Sequence, residues 1–477
     1  MPVNEGLEAK RTLMTQTPVK RLVVQLALPT IISMVVTAFY NIADAAFVGH
    51  LSTEATAGIG ISFAYMTFIQ AVGFFFGHGS GNHISRALGA RRYDDATEMA
   101  STGFFTPIII GVVAAILCTI WLPSLAVLLG ATADVVPSAC DYLRYIVLAS
   151  PFMMSALTLN NQLRLQGNAR FAMIGITSGA VLNIVLDPLF IFVLDMGVTG
   201  ASLATALSQL FSWCLLLRGT MRADSVRIRL ASFRPTWHNY YEIFRGGLPS
   251  LCRQAFNCIA AICLNYAAAK WAAPGEEAST VAAFAVVTRT MMFAFSVVLG
   301  FCQGFQPVSG FNYGARLYGR VRESYLFALE VSTLFLLVIS VCGYLFAPNI
   351  IMLFRSEDAT LVDIGTKALR WQCITFPLIG LSTTTNMLFQ NIRMTFRSTL
   401  ISMGRQGLFF IPVVLILPHY FGLDGVLASQ PVADFLTFLL SVPYALWIER
   451  KLRYASFQSS SSGSSMSPTD FSDDVME

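Results

Sequence analysis

Of the 477 residues, 55% are hydrophobic and only 12% are charged, about half the charged fraction of a soluble domain. The chain is therefore expected to be an integral membrane protein, and its net charge of +4 is too small and too scattered to form a nucleic-acid surface. The nine cysteines include no C-x-x-C pair and no histidine pattern at zinc spacing, so free thiols are expected; a polar start before a long first apolar run argues against a cleaved signal peptide.

Taken in order, the chain offers twelve segments long enough to cross a bilayer at roughly 20 residues each. They are 22–48, 57–85, 100–122, 138–163, 171–194, 199–218, 241–269, 280–311, 324–346, 365–390, 398–418 and 425–448. The first holds Pro29, a candidate bending point. It also holds Tyr40, Asn41 and Asp44, and the spacing puts Tyr40 and Asn41 on the helix face of Asp44. Asp44 falls in the outer half of its span, where an interfacial acid is the competing reading. The second contains Gly77-His78-Gly79-Ser80-Gly81. Lying in a span and lacking a P-loop lysine, this run is expected to allow close helix packing rather than phosphate binding. His78 and His83 are candidates for contact with a proton path, although polar groups inside a bundle are more often simply hydrogen-bonded.

The fifth span carries Val181–Ile191, VLNIVLDPLFI. An ionised carboxylate at the bilayer centre costs roughly 2.5–3.5 kcal/mol on insertion scales, so an acid kept there usually lines a wet cavity. Asn183 and Asp187 are i and i+4 on one face. Pro188 has no N–H for the carbonyl of Ile184, so the helix can bend and leave an acceptor beside the acid. The competing reading is that Asp187 caps a kink or reaches the outer interface. Thr205 in the sixth span and Asp44 in the first fall at a depth similar to that of Asp187.

The one long connection, 219–240, carries Arg222, Arg227, Arg229 and Arg234 and divides the chain. The expected organisation is a cytoplasmic segment 1–21, an amino-terminal lobe 22–218, a linker 219–240, a carboxy-terminal lobe 241–449 and a Ser-rich tail 450–477 too poor in apolar surface to fold. Of the 31 Lys and Arg residues, 23 fall in the terminal segments and the loops on one side, five on the other side and three inside spans. That asymmetry places both termini in the cytoplasm.

The halves repeat at an offset near 225: Gly89-Ala90-Arg91 matches Gly314-Ala315-Arg316, Pro151 matches Pro377, and Asp187-Pro188 falls on Ile411-Pro412. Two parallel six-helix repeats about an axis along the membrane normal are a transporter architecture, with the substrate path between them. The second half has Ile411 for Asp187 and Gly407 for Asn183, so a role for the acid belongs to the first half alone. The second half has its own intramembrane charges, Arg253, Arg289 and Arg405, with Glu330 and Asp434 as available partners. The favoured pair is Arg405 with Asp434 or Glu330, as a static structural pair.

No H-E-x-x-H, G-x-S-x-G or Walker lysine motif supports an enzyme or a primary pump. LALPT at Leu26, YNIADAAFVGH, ISRALGA at Ile84–Ala90, NIVLDPLFI, GASLATALSQ, GFCQGFQPVSGFNYGA and SMGRQGLFFIP together resemble the multidrug and toxic compound extrusion (MATE) family, closest to its bacterial MepA-like branch. The resemblance covers residues 20–450. It implies an all-α polytopic protein with twelve helices in two bundles, a monomer of the bacterial or archaeal cytoplasmic membrane. It further implies export of amphiphilic, often cationic compounds in exchange for inward H⁺ or Na⁺, with no other cofactor and with membrane lipid as the surrounding partner. Carried over by motif, the family's cation network implies Asp44, Asn183, Asp187, Thr205 and, deeper toward the cytoplasm, Asn160, with Na⁺ at Asp44 and Asp187 if sodium is the ion. A lipid-linked oligosaccharide flippase of similar architecture is the alternative, kept open by the three intramembrane arginines.

Overall fold

The structure is a computed structural model and describes residues 3–48, 53–222, 224–354 and 358–461. Among the described residues every regular element is a helix, and eleven helices are long and apolar enough to cross a membrane. Each of the eleven falls on an expected span. The remaining span, expected as one helix at 365–390, is broken into Ala359–Thr375 and Ile379–Asn391 by a 3₁₀ turn at Phe376–Leu378. Pro377 explains the break, because it withholds an N–H from the helical ladder. The twelve-crossing, two-lobed layout is retained.

The chain forms two compact units. The first comprises Met1–Pro18, Gln25–Leu251 and Gly310–Ala315. Its elements are α1 (Val3–Gln16), most of α2 (Val19–Val48), α3 (Thr53–Gly89), α4 (Tyr93–Ile120), the short α5 (Leu122–Leu128), α6 (Val136–Leu165), α7 (Ala169–Pro188), α8 (Gly197–Thr220) and the start of α9 (Trp237–Lys270). Helix α6 is its centre, touching α3, α4, α5, α7 and α8. Its apolar window is 72% buried, against 28–44% for those of α3, α4 and α8 and of the span that includes α7. Small residues permit this: a Cβ on Gly111 of α4 would lie 2.5 Å from the Cα of Pro151 on α6. The Gly-rich stretch of α3 does what its composition implies, since a Cβ on Gly79 would fall 2.3 Å from the carbonyl oxygen of Ile243 on α9.

The segment before the first span is more than a polar leader. Leu7 and Met14 recur one heptad apart and are buried, at 2% and 1% exposed, so α1 lies on the ends of the neighbouring helices. Its polar groups pin it there. The Lys10 ammonium donates to Asp224 at 2.7 Å and to Asn168, Arg11 Nε donates to the Gly89 carbonyl at 2.8 Å, and Glu8 accepts from Arg91 at 2.7 Å and from Tyr93.

Burial opposes ionisation of Asp224, but the hydrogen bond and charge of Lys10, aided by Arg222, outweigh it and hold the carboxyl below its ordinary value. The hydrogen bonds of Arg91 and Tyr93 lower Glu8 in the same way. Because both folded pKa values are depressed, their contribution to docking is present above the ordinary carboxylate range and is lost as pH falls through the folded values. Protection from hydrogen exchange across 3–16, taken relative to the intrinsic rate at each pH, is therefore expected to be high at neutral pH and to fall on acidification below about pH 4. Asp224→Asn should already show weakened protection at neutral pH; unchanged protection in that variant would remove the pin.

The second unit comprises Val19–Val24, Cys252–Ser309 and Arg316–Glu477. It is built from most of α9 and α10 (Glu277–Gly314), then α11 (Tyr318–Leu345), the short α12 (Ala347–Met352), α13 (Ala359–Thr375), α14 (Ile379–Asn391), α15 (Thr395–Met403), a π-helical turn at Gly404–Leu408, α16 (Phe410–Ile416) and α17 (Pro418–Ser461). Helix α17 turns at Gly422 and then runs on through the basic stub to Ser461, further than the expected span end at 448. Arg322 holds Glu449 on that extension.

The backbone carries the internal repeat into three dimensions. Left-handed residues recur in pairs at nearly constant offset: Arg91 (φ 63°) with Arg316 (φ 60°), Gly167 (φ 82°) with Arg393 (φ 68°), and Gly197 (φ 54°) with Gly422 (φ 57°). The repeat-equivalent ends of α3 and α10 also meet reciprocally within the first unit. A Cβ on Gly89 would lie 2.1 Å from the Phe311 carbonyl oxygen, and one on Gly314 would lie 2.1 Å from that of Arg86. Neither acceptor is a flexible side-chain tip, so Gly89→Ala or Gly314→Ala should destabilise by about 1–3 kcal/mol or more through overpacking. Thermal unfolding in detergent checks this, and an unshifted midpoint in both variants would contradict the close crossing.

Candidate cation site and buried charges

Helix α7 continues through Asp187-Pro188 and then widens into a π-helical turn at Leu189–Val193, where the Leu194 N–H reaches back to the Leu189 carbonyl at 2.9 Å. The proline thus changes the helical pitch where a bend was expected, and the helix is not interrupted. Just before this turn, the Asn183 amide donates to Asp187 Oδ1 at 3.2 Å and reaches Thr205 Oγ1 of α8 at 3.4 Å. The Thr205 hydroxyl donates to the Ala201 carbonyl at 3.0 Å, which leaves its lone pair toward Asn183. All three side chains are at most 2% exposed. The Asn183 carbonyl oxygen is buried with no hydrogen-bond partner among the described residues. A carboxylate, an orphaned amide oxygen and a hydroxyl in one dry place are hard oxygen donors suited to a proton or a small cation.

Asn160 does not join them. Its amide donates to the Ala172 carbonyl at 2.9 Å, eleven residues before Asn183, or about 16 Å along the helix at roughly 1.5 Å per residue. The contact gives its membership in the network, carried over by motif, no support: the amide of Asn160 on α6 satisfies a backbone acceptor near the start of α7. Tyr40 is half-buried on α2. Pro29 lies inside the uninterrupted α2. Asn41 and Asp44 also fall on α2, but their side chains lie outside what the structure describes.

In the second unit, a Cβ at Gly407, the counterpart of Asn183, would fall 2.5 Å from the ring of Phe256. The space a polar side chain would need is taken by an aromatic ring, and Ile411 stands for the acid. Arg405, on the π-helical turn, donates through Nε to Asp434 Oδ1 at 2.8 Å, and Gln430 donates to the same oxygen at 2.9 Å. The Arg405 guanidinium also lies 5.1 Å from the centroid of Phe295. The other charges expected to be buried are placed differently. Arg289 and Glu330 are exposed on their unit, Arg253 is half-buried, and none of the three is in an ion pair among the described residues. Long side chains and helical phase carry Arg289 and Glu330 to the surface of the unit.

The two histidines of α3 both have partners on neighbouring helices. His78 Nε2 lies 3.2 Å from Arg164 Nη2 and its Nδ1 lies 3.1 Å from the Ser250 hydroxyl. Arginine only donates, so Nε2 accepts, Nδ1 carries the hydrogen and the ring is neutral. His83 bridges three helices, with Nδ1 3.2 Å from Glu242 and Nε2 3.0 Å from Asp95, while Arg86 approaches Glu242 at 3.6 Å. Arg164, one of the 23 basic residues of the terminal segments and loops on one side, is 1% exposed at the end of α6 and donates to Asn161 at 2.8 Å. The pin at Lys10 was also missed, although Leu7, Lys10 and Met14 at i, i+3 and i+7 were the signal for an amphipathic helix.

These features agree with what the chain is similar to. The MatE family model matches residues 29–189 and 255–416, one match in each half. The multidrug export protein MepA of Staphylococcus aureus (strain MRSA252) is 25% identical over 439 residues, covering 90% of this chain and 93% of that protein. A multidrug resistance MATE family transporter of the MOP superfamily, solved in an outward-facing conformation, superposes with a TM-score of 0.86 at 28% identity, over 93% of this chain and 98% of that one. A MATE structure in a bent conformation gives 0.84 at 28% identity, over 95% and 99%. With both halves matched and the helical layout shared from end to end, the chain belongs to the MatE family of multidrug efflux transporters.

Proposed function

We propose that this multi-pass inner-membrane protein exports amphiphilic, often cationic compounds in exchange for an inward cation, H⁺ or Na⁺, and that Asp187 with Asn183 and Thr205 is the coupling site, to which Asp44 contributes from α2. The observation that carries this reading is the dry oxygen cluster of the first unit, set against a second unit whose equivalent positions are Ile411 and a Gly407 covered by Phe256. One site per molecule is then available to the ion.

The cation neutralises the acid, and the segment bearing Pro188 and the π-helical turn repacks. A π-helical turn supports this because it already stores a register change that a helix can shed or move. For net exchange, drug and cation must favour opposite states or compete for one site, since a ligand with equal affinity for both states shifts nothing. Both termini face the cytoplasm, as the split of basic residues requires. The Arg405–Asp434 pair has a structural role, and a pyrophosphate-binding cavity is disfavoured because Arg405 is already committed to a carboxylate.

The test is efflux of a lipophilic cation from proteoliposomes under separately imposed proton and sodium gradients. One gradient should drive accumulation against the drug's own gradient. Transport that ignores both, or binding of a polyprenyl pyrophosphate in preference to the lipophilic cation, would reject the reading.

A further inference from the structure

The connection between α8 and α9 is laid onto the first unit by its backbone. The Val226 N–H donates to Gln166 Oε1 at 2.9 Å, the Arg229 N–H to Ser101 Oγ at 3.1 Å and the Arg234 N–H to Thr102 Oγ1 at 3.3 Å, while Ser225 Oγ accepts from Asn168 at 2.6 Å. Ser101 and Thr102 sit eight and nine residues inside α4, about 12 Å from its start at roughly 1.5 Å per residue. Residue 100 is also where the apolar part of that helix begins. The connection therefore lies at the level of the bilayer surface, fixed in place rather than looping into water.

What it presents outward is mixed in a particular way. Met221, Leu230 and Trp237 are 66%, 72% and 85% exposed. Beside them, Arg222 is held by Asp224 at 3.2 Å and Arg234 faces Glu98 at 3.9 Å. Arg218, Arg227 and Arg229 are in no ion pair among the described residues; Arg218 and Arg229 are exposed, while Arg227 is half-buried with its Nε buried and without a hydrogen-bond partner among the described residues. Uncompensated cations interleaved with an exposed Trp, Leu and Met at headgroup depth have the composition of an interfacial membrane contact. An acidic soluble partner would answer the arginines but would not by itself explain exposed apolar side chains at the height of the lipid.

We propose that Asp224–Trp237, with Arg218 and Met221 at the end of α8, is a preorganised lipid-binding strap, in which Arg218, Arg227 and Arg229 hold the phosphates of anionic phospholipids while Met221, Leu230 and Trp237 enter the acyl boundary. By the arginine asymmetry this is the cytoplasmic leaflet. The strap is independent of the coupling site, so it stands whichever ion drives transport.

The experiment uses the full chain in nanodiscs of phosphatidylcholine with a minority of phosphatidylglycerol, reading the lipid retained by native mass spectrometry. The wild type should enrich phosphatidylglycerol over its bulk ratio. Each Arg→Gln change should cut that enrichment by about fivefold, as expected for one near-surface arginine, and Arg218→Gln/Arg227→Gln/Arg229→Gln should return it to bulk. Molar salt should weaken the wild-type preference by shortening the screening length to about 3 Å. Leu230→Ala/Trp237→Ala should lower total lipid retention while keeping the headgroup preference, and Arg144→Gln, on the basic-poor side, should change nothing. If the triple variant fails to fold, Arg229→Gln alone carries the test, because only the backbone of that residue is engaged. No preference in the wild type, an unchanged preference in Arg229→Gln, or equal displacement by soluble inositol hexakisphosphate would overturn the proposal.

Discussion

Asp187→Asn should reach the membrane in normal amount and lose gradient-driven efflux. Asparagine keeps the size of the side chain and its hydrogen bond to Asn183, so the packing around a residue 1% exposed is preserved. What disappears is the charge that a proton or Na⁺ neutralises. Coupling free energies of this kind are worth factors of roughly 5 to 150, so drug accumulation against its gradient should fall by a factor on the order of ten to one hundred, while drug binding measured without a gradient persists. Thr205→Val should weaken transport less, because it removes a neutral partner at 3.4 Å. Ile411→Asp should not create a second site, since Phe256 covers the neighbouring position. Wild-type uphill export by Asp187→Asn would end the coupling role of this stretch.

Arg405→Ala should produce the largest loss of stability among single changes in the second unit. It leaves Asp434, whose side chain is 2% exposed, with only Gln430 as a donor. Breaking a buried pair from one side costs about 3–5 kcal/mol. The lower end applies, because the Arg405 side chain is 25% exposed and part of its charge is already solvated. Arg405→Met with Asp434→Asn should recover at least part of the loss, since the residual penalty in the single variant is an uncompensated buried carboxylate. Glu330→Gln should be nearly neutral on an exposed face. Thermal unfolding of the four proteins in one detergent decides it, and a double variant no more stable than Arg405→Ala would show that the pair is not what holds these residues.

The helices were legible because a bilayer demands long apolar runs whose backbone is satisfied internally. That demand wrote eleven spans directly into the composition. The segment around Pro377 obeyed a second, local rule, and it was read as one helix because length and hydropathy were weighed above the proline. The repeat was legible in the same way. Gly89 and Gly314 recur because two carbonyls approach to within 2.1 Å of where a side chain would begin, a close packing that sequence spacing reports without naming the partner.

The site was legible in part. Asn183 and Asp187 share a face by spacing alone, and an acid in a span is conspicuous because it is expensive. That Thr205 joins them and Asn160 does not depends on the phase and depth at which α6, α7 and α8 cross, which no single helix encodes. The same holds for the charges. Arg405, Arg289 and Arg253 look alike as letters within apolar runs, yet only Arg405 meets an acid among the described residues, because the π-helical turn rotates it toward Asp434.

The sequence by itself determined the solvent, the number of crossings, the duplication and the existence of a costly acid in one half, because each is a property of local composition or periodic spacing. Only the tertiary structure decided which polar groups meet, which loop arginines are buried and which are exposed, and that the first residues fold back as a pinned helix. Those outcomes turn on distances between residues far apart in the chain, where a rotation of one helix by a single residue exchanges a hydrogen bond for an exposed charge.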